Sequence, residues 1–163
     1  MKAQHIMTRN PECCTPGDTA ERAAQLMALT DCGCIPVVED QQSRRLVGMI
    51  TDRDLAVRVL ATGKSASTSV REVMTANPQC CSATADVKQV ERVMTGSQVR
   101  RVPIVDAEGR CIGIVSQADL ARAARDGRPI TDREVAIVVE RISEPARVSA
   151  RQGPAIGREA TAR

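Results

Sequence analysis

Met7-Thr8-Arg9-Asn10-Pro11-Glu12-Cys13-Cys14 returns 67 residues later as Met74-Thr75-Ala76-Asn77-Pro78-Gln79-Cys80-Cys81. The same offset of 67 relates Met27 to Met94, and Ile35-Pro36-Val37-Val38 to Val102-Pro103-Ile104-Val105. It shortens to 65 for Gly48 and Gly113, and for Asp54-Leu55 and Asp119-Leu120. The two missing residues fall in a polar stretch, Asp40 to Arg45 against Ala107 to Arg110, where a surface loop tolerates a change of length. Of 44 aligned pairs 12 are identical, and they gather at Pro, Gly, Met and Asp, the residues that set local geometry. Self-similarity at a fixed period decides the architecture before any single element is read. The chain is a duplicated unit.

Outward from the repeated octapeptide, each copy reads in the same order. An Asn-Pro turn leads to a short extended piece, Glu12 to Thr15 or Gln79 to Ser82. An amphipathic helix follows, with Asp18 and Glu21 as a cap and Ala20, Ala23 and Met27 on one face. Val87, Val90 and Met94 mark the matching face of the second copy. Next comes a buried strand, Ile35 to Val38 or Val102 to Val105, with Pro near its start. A polar hairpin turns into a second strand, Leu46 to Ile50 or Cys111 to Val115. A second helix begins at once, Asp52 to Leu60 or Gln117 to about Arg125. The order is β-α-β-β-α twice, an α/β (α+β) fold in which two small sheets carry helices and pack as one module. The expected domains are a first repeat over 1–61, a linker over 62–72 with a helical turn at Val70 to Met74, and a second repeat over 73–125. A C-terminal helix is expected over 126–143, capped by Thr131 or Asp132, and a disordered tail over 144–163.

Composition narrows the function. Hydrophobic residues make up 42% of the chain, but there is no Phe, Tyr or Trp. The core is therefore aliphatic and thiol, and an aromatic platform for stacking single-stranded nucleic acid is excluded. The net charge of +3 comes from residues 122–163, where nine Arg face six acids, and reads as a solvated end. No apolar run approaches the roughly 20 residues that span a bilayer, and the first residues lack a signal-peptide core. A cytoplasmic location is expected. The lone histidine, His5, stands near the start without a nucleophile beside it in sequence, and no phosphate-binding loop or His-bearing metal motif occurs. No catalytic residue and no metal site is assigned.

The tandem order, the Met-Thr-x-Asn-Pro segment, the apolar-Pro-Val strand and Gly48-Met49-Ile50-Thr51-Asp52-Arg53-Asp54-Leu55 together resemble the CBS (cystathionine-β-synthase) domain pair over about residues 5–125. The resemblance implies a flat pseudo-twofold module that associates as a homodimer. It also implies a regulator of an unidentified partner protein, not an enzyme. The implied ligand is AMP, ADP, ATP, S-adenosylmethionine or NAD, held without covalent attachment in clefts between the repeats. By resemblance, Thr51 and Ser116 contact phosphate, Asp54 and Asp119 contact ribose, and Cys34, Ile35 and Pro36, or Arg101, Val102 and Pro103, line the adenine pocket. Cys14 and Cys81 form the opposite walls.

Physical chemistry supports these roles at the strand-to-helix turns. A helix N-terminus offers free N–H groups and positive potential to a phosphate, and a nearby carboxylate can accept both ribose hydroxyls. The same Thr-x-x-Asp pattern is also a capping box that needs no ligand. The first turn carries Arg53 where the second has Ala118, so the intact nucleotide is expected on the first site, with Arg100 or Arg101 reaching across from the second repeat.

Other readings remain. The seven cysteines include Cys13-Cys14 and Cys80-Cys81 at equivalent positions, which suits a thiol redox or metal sensor as well as an aliphatic core. A ligand-free oligomerisation module is another. Nucleic-acid binding through the Arg-bearing tail is unfavoured and predicts strong salt dependence.

Overall fold

Reciprocal exchange of the first strands ties the two repeats together in the computed structural model, which describes residues 1–145. Strand β1 (Thr8–Arg9) leaves its own repeat and pairs with β7 (Cys111–Ser116). Its counterpart β4 (Thr75–Ala76) pairs with β3 (Leu46–Thr51) of the first repeat. One sheet runs β2 (Cys34–Val38), β3, β4. The other runs β1, β7, β6 (Arg101–Val105), β5 (Cys81–Ser82). Two antiparallel hairpins, β2–β3 and β6–β7, form the sheet centres, and β5 joins β6 in parallel.

The exchange explains two of the repeated identities. Gly48 and Gly113 lack a side chain because the other repeat's Met-Thr segment lies on them. A Cβ on Gly48 would stand 2.6 Å from the Met74 sulfur and 3.2 Å from the Thr75 carbonyl oxygen. A Cβ on Gly113 would overlap the Met7 sulfur and stand 3.1 Å from the Thr8 carbonyl oxygen. The repeated Met and Gly thus form two crosswise contacts.

Helix α1 (Ala20–Thr30) is capped by the Thr19 hydroxyl, which accepts from the Arg22 amide at 3.1 Å. The Asp18 carboxylate, expected to cap it, instead closes the preceding turn by accepting from the Thr15 amide at 2.6 Å. The equivalent α4 (Val87–Ser97) is capped by Asp86. Both helices end on a left-handed residue, Asp31 or Gln98, which closes the last turn.

The second helix of the first repeat, α2, begins as α-helix at Asp52–Asp54 and continues as π-helix over Leu55–Leu60. Its partner α5 (Gln117–Arg125) is α-helical throughout. A short α3 (Val70–Val73) buries Val70 and Val73 completely in the first repeat's core, although it leads into the second repeat's sequence. The mirror case is the N-terminus, where Ala3 in a 3-10 turn is fully buried in the second core. Packing units and chain order therefore differ at both ends of each repeat.

Each repeat has its own aliphatic core, and a smaller cluster joins them. The first core gathers Ala23, Leu26, Ile35, Val37, Ile50 and Val59, and the second Val90, Met94, Val102, Ile104, Val115 and Leu120. Burial of each Val, Leu, Ile or Met side chain among them is worth about 1.5–3 kcal/mol, which makes these faces the main driving force. Between the cores, Cys13, Val38 and Cys111 pack with Leu46. There the hairpin turns meet: the Leu46 amide donates to the Gly109 carbonyl at 3.0 Å, and the Cys111 amide to the Arg44 carbonyl at 2.8 Å.

Helix α6 (Asp132–Ser143) starts at a Thr131–Glu134 capping box and covers α4 and α5 with Val138 and Ile142. Its Lys88–Glu134 ion pair fastens its first turn to α4. The tail expected over 144–163, with the unfavoured nucleic-acid reading placed on it, lies outside the described residues from 146 on.

Candidate functional site

The two strand-to-helix turns fold alike. Thr51 accepts from the Asp54 amide at 3.1 Å, while the Thr51 amide and hydroxyl donate to Asp54 Oδ2 at 3.0 and 2.7 Å. Ser116 accepts from the Asp119 amide at 3.3 Å, and its amide and hydroxyl both donate to Asp119 Oδ2 at 2.7 Å. In each case the hydroxyl residue pairs with the start of the preceding strand, Thr51 with Cys34 and Ser116 with Arg101. Both are complete capping boxes.

Their surroundings differ. Asp54 Oδ1 faces Arg58 Nε at 3.4 Å, and that guanidinium is committed elsewhere: it donates to the Val73 and Met74 carbonyls at 2.8 and 3.0 Å. The first turn of α2 also carries Asp52, whose carboxylate accepts from the Arg53 amide at 2.7 Å and lies over Gly33, 2.6 Å from where a Cβ would stand. A negative charge thus occupies the N-terminus that a phosphate would need. In the second repeat the equivalent residues are Gln117 and Ala118, which carry no charge. Asp119 is 8% exposed, and Oδ1 accepts from Arg122 at 2.6 Å.

A cleft of about 500 Å³ lies at this second turn. Its lining is crosswise. Ser116, Ala118, Asp119, Arg122, Ile114 and Arg101 come from the second repeat. Cys34, Ile35 and Pro36 come from the first, with Thr30 to Cys32 beside them and the exchanged Thr8 to Glu12 segment as the connecting wall. Three guanidiniums (Arg9, Arg101, Arg122) balance three carboxylates (Glu12, Asp31, Asp119). Burial pushes the Cys34 thiol up to about 12, against the lowering pull of the Arg101 charge, and both residues line the cleft.

Of the residues singled out from the sequence, Cys34, Ile35, Pro36, Arg101, Ser116 and Asp119 meet in this cleft. Thr51, Arg53 and Asp54 stand at the other turn, outside its lining. Val102 and Pro103 are buried in the second sheet. Cys14 and Cys81, expected as walls, are sunk in the two separate cores, at 0% and 2% exposure. Burial also raises both thiols, Cys14 to about 12, so neither offers a thiolate at neutral pH. Cys14 and Cys81 thus lie in different cores. Among the described residues no group of three or more His, Cys, Asp or Glu is placed to hold a metal ion.

Sequence reading missed Arg9, Asn10 and Arg122 as cleft residues. Arg122 had a local signal, since three residues beyond Asp119 on a helix is side-chain neighbour distance. Arg9 had none, because only the strand exchange brings it to the second repeat.

The fold defines a tandem module of two β-α-β-β-α repeats that share one crosswise cleft. The CBS domain model matches residues 3–61 and 70–126, so the chain belongs to the CBS domain family. Hypoxic response protein 1 of Mycobacterium tuberculosis is 37% identical over 121 residues, 74% of this chain and 82% of that protein. Its crystal structure, which has two coordinated zinc ions, superposes with a TM-score of 0.68 over 75% of this chain and 98% of that one. CBSX2 in complex with AMP is 26% identical, with a TM-score of 0.65 over 77% of this chain and 96% of that one. The CBS pair of MJ0100, in complex with 5'-methylthioadenosine and S-adenosyl-L-methionine, is 26% identical with a TM-score of 0.70, over 78% and 98%. Among the described residues no helix is long and apolar enough to cross a membrane.

Proposed function

We propose that the chain is a regulatory module that binds an adenosine-containing ligand in the cleft between Cys34–Pro36 and Ser116–Asp119. The observation that carries this reading is the crosswise lining itself. One cleft holds an apolar strand start, a nine-residue helix N-terminus with uncharged first residues, a carboxylate three residues into the helix, and three guanidiniums. The base lies against Cys34, Ile35 and Pro36, the Asp119 carboxylate accepts the ribose hydroxyls, and the Ser116 hydroxyl with the start of α5 meets phosphate. A ligand competes for the Asp119 oxygens with Ser116 and Arg122. The sequence alone favours the first turn for the intact nucleotide. Asp52 at that helix start opposes an anion, which favours the second turn.

Equal numbers of guanidiniums and carboxylates favour ligands of low net charge, AMP or S-adenosylmethionine, over ATP. The partners this reading implies are a second copy of the chain and a regulated protein that senses the bound state.

The test is a thermal-shift panel of AMP, ADP, ATP, S-adenosylmethionine and NADH on the full chain, Asp119→Ala and Asp54→Ala. A ligand at about 100 times its dissociation constant stabilises by about 2.7 kcal/mol. The expected result is a midpoint raised by at least one ligand, abolished in Asp119→Ala and retained in Asp54→Ala. No shift with any ligand rejects nucleotide sensing and leaves an assembly module. Loss in Asp54→Ala alone returns the site to the first turn.

A further inference from the structure

The junction of the two hairpins holds a cysteine pair that the cleft does not use. We infer that Cys13 and Cys111 form a reversible dithiol clasp, oxidised by a hydroperoxide, that ties the first repeat's lead segment to β7 of the second. The inference is independent of the nucleotide reading.

Four observations carry it. Cys13 and Cys111 share one small buried cluster with Val38, although they are far apart in sequence. The Arg44 guanidinium is built onto this pair: Nη2 donates to the Cys13 sulfur at 3.3 Å and to the Pro11 carbonyl at 2.9 Å, and Nε donates to the Cys111 carbonyl at 3.3 Å. Arg44 sits at a left-handed φ of 53°, where the equivalent residue of the other hairpin is Gly109 at 78°. The fold thus accepts a side chain at a position suited to glycine, and that side chain is the cation facing the thiol. Finally, the cysteines differ in kind. The neighbouring Cys111 thiol and the Arg44 charge lower the Cys13 thiol against burial, while the neighbouring Cys13 and burial raise Cys111. Cys14, Cys34 and Cys81 are raised by burial. Cys13 is the attacking thiol and Cys111 the resolving one.

The step balances with a hydroperoxide as oxidant. The Cys13 thiolate attacks the outer oxygen of ROOH, an S–O bond forms, the O–O bond breaks, and RO⁻ takes a proton to leave as ROH. Cys111 then gives up its proton and its sulfur attacks the Cys13 sulfenic acid. The S–S bond forms, the S–O bond breaks, and the departing hydroxide takes that proton as water. Two thiols lose two electrons, and the peroxide gains them. An external thiol reverses the reaction.

The test treats the full chain with graded hydrogen peroxide, then denatures, alkylates, digests and maps disulfides by mass spectrometry. Trypsin separates residues 10–22, which hold Cys13 and Cys14, from residues 111–122, which hold Cys111, and fragmentation of the linked pair, repeated on Cys14→Ser, assigns the linked sulfur. The expected product is a Cys13–Cys111 link that dithiothreitol removes and that raises the thermal midpoint while present. Cys111→Ser is expected to leave a Cys13 sulfenic acid that dimedone traps, and Cys13→Ser to leave Cys111 a thiol. Arg44→Gln is expected to slow the reaction about threefold for each unit by which the Cys13 pKa climbs, because thiolate fraction falls faster than nucleophilicity rises. Links through Cys14, Cys32, Cys34, Cys80 or Cys81 in place of Cys111 would overturn the inference. So would an intact Cys13 at a peroxide dose that consumes the exposed Cys80.

Discussion

Thr51–Asp54 and Ser116–Asp119 are the same capping box built twice, yet they do different work. At the first turn Asp54 joins Arg58, which clamps the carbonyls of Val73 and Met74 and so anchors α3. Asp52 adds a negative charge at the helix start. At the second turn Asp119 meets Arg122, whose side chain is 60% exposed, and both line the cleft. A duplicated motif therefore diverges through its neighbours: one copy became a strut and the other faces a ligand-sized space.

The sharpest break between the copies is at the paired leucines that follow the boxes. Leu120 is fully buried in the second core, while Leu55 only packs against the edge of the first. Leu120→Ala is expected to cost about 2–5 kcal/mol in urea unfolding and Leu55→Ala less than about 2. Equal losses would mean that the repeats are packed alike.

At the strand exchange, Gly113→Ala and Gly48→Ala each press a methyl on a methionine sulfur and a backbone carbonyl of the other repeat. Each is expected to destabilise by about 1–3 kcal/mol, the usual cost of overpacking. Pairing Gly113→Ala with Met7→Ala should recover part of the loss, and pairing it with Met74→Ala should not. Recovery by Met74→Ala would contradict the crosswise contact.

The boxes themselves separate under ligand. Asp119→Asn is expected to weaken binding about 10- to 150-fold by calorimetry, the value of a hydrogen bond to a charged acceptor of about 1.5–3 kcal/mol, and Asp54→Asn to leave it within threefold.

The smallest effect concerns α6, which covers only the second repeat. The Lys88 hydrogen bond, with the Thr131 amide and hydroxyl, holds Glu134 at about 2, below its ordinary 4.5. The pair's contribution is complete above about 4.5 and fades as pH falls toward 2. Glu134→Gln is expected to flatten the fall in thermal midpoint between neutral pH and about pH 3 slightly. An unchanged slope would show that α6 docks through Val138 and Ile142 alone.

Much of this was legible in the sequence because geometry-setting residues repeat with it. The Pro-bearing strands, both hairpins, both boxes and α6 follow from turn chemistry and apolar period. What the sequence hid was partner identity. Met7 and Gly113 read as separate repeated positions, and only the sheet order shows that they touch. The cap of α1 was read one residue early, because Asp18 and Thr19 both suit the role and Thr15 competes for the carboxylate. Cys14 and Cys81 looked like cleft walls by resemblance, but the parallel pairings of Cys14 with Val37 and Cys81 with Ile104 turn them into the cores. For the cleft, each repeat supplies half, so its composition could not be read from either copy alone.

Hydrogen–deuterium exchange of the full chain with and without saturating AMP tests the crosswise cleft most directly. Slowed exchange is expected in peptides covering residues 8–12, 33–36 and 116–122 together, with residues 51–54 unchanged. Protection confined to 51–54, or to segments of one repeat only, would contradict it.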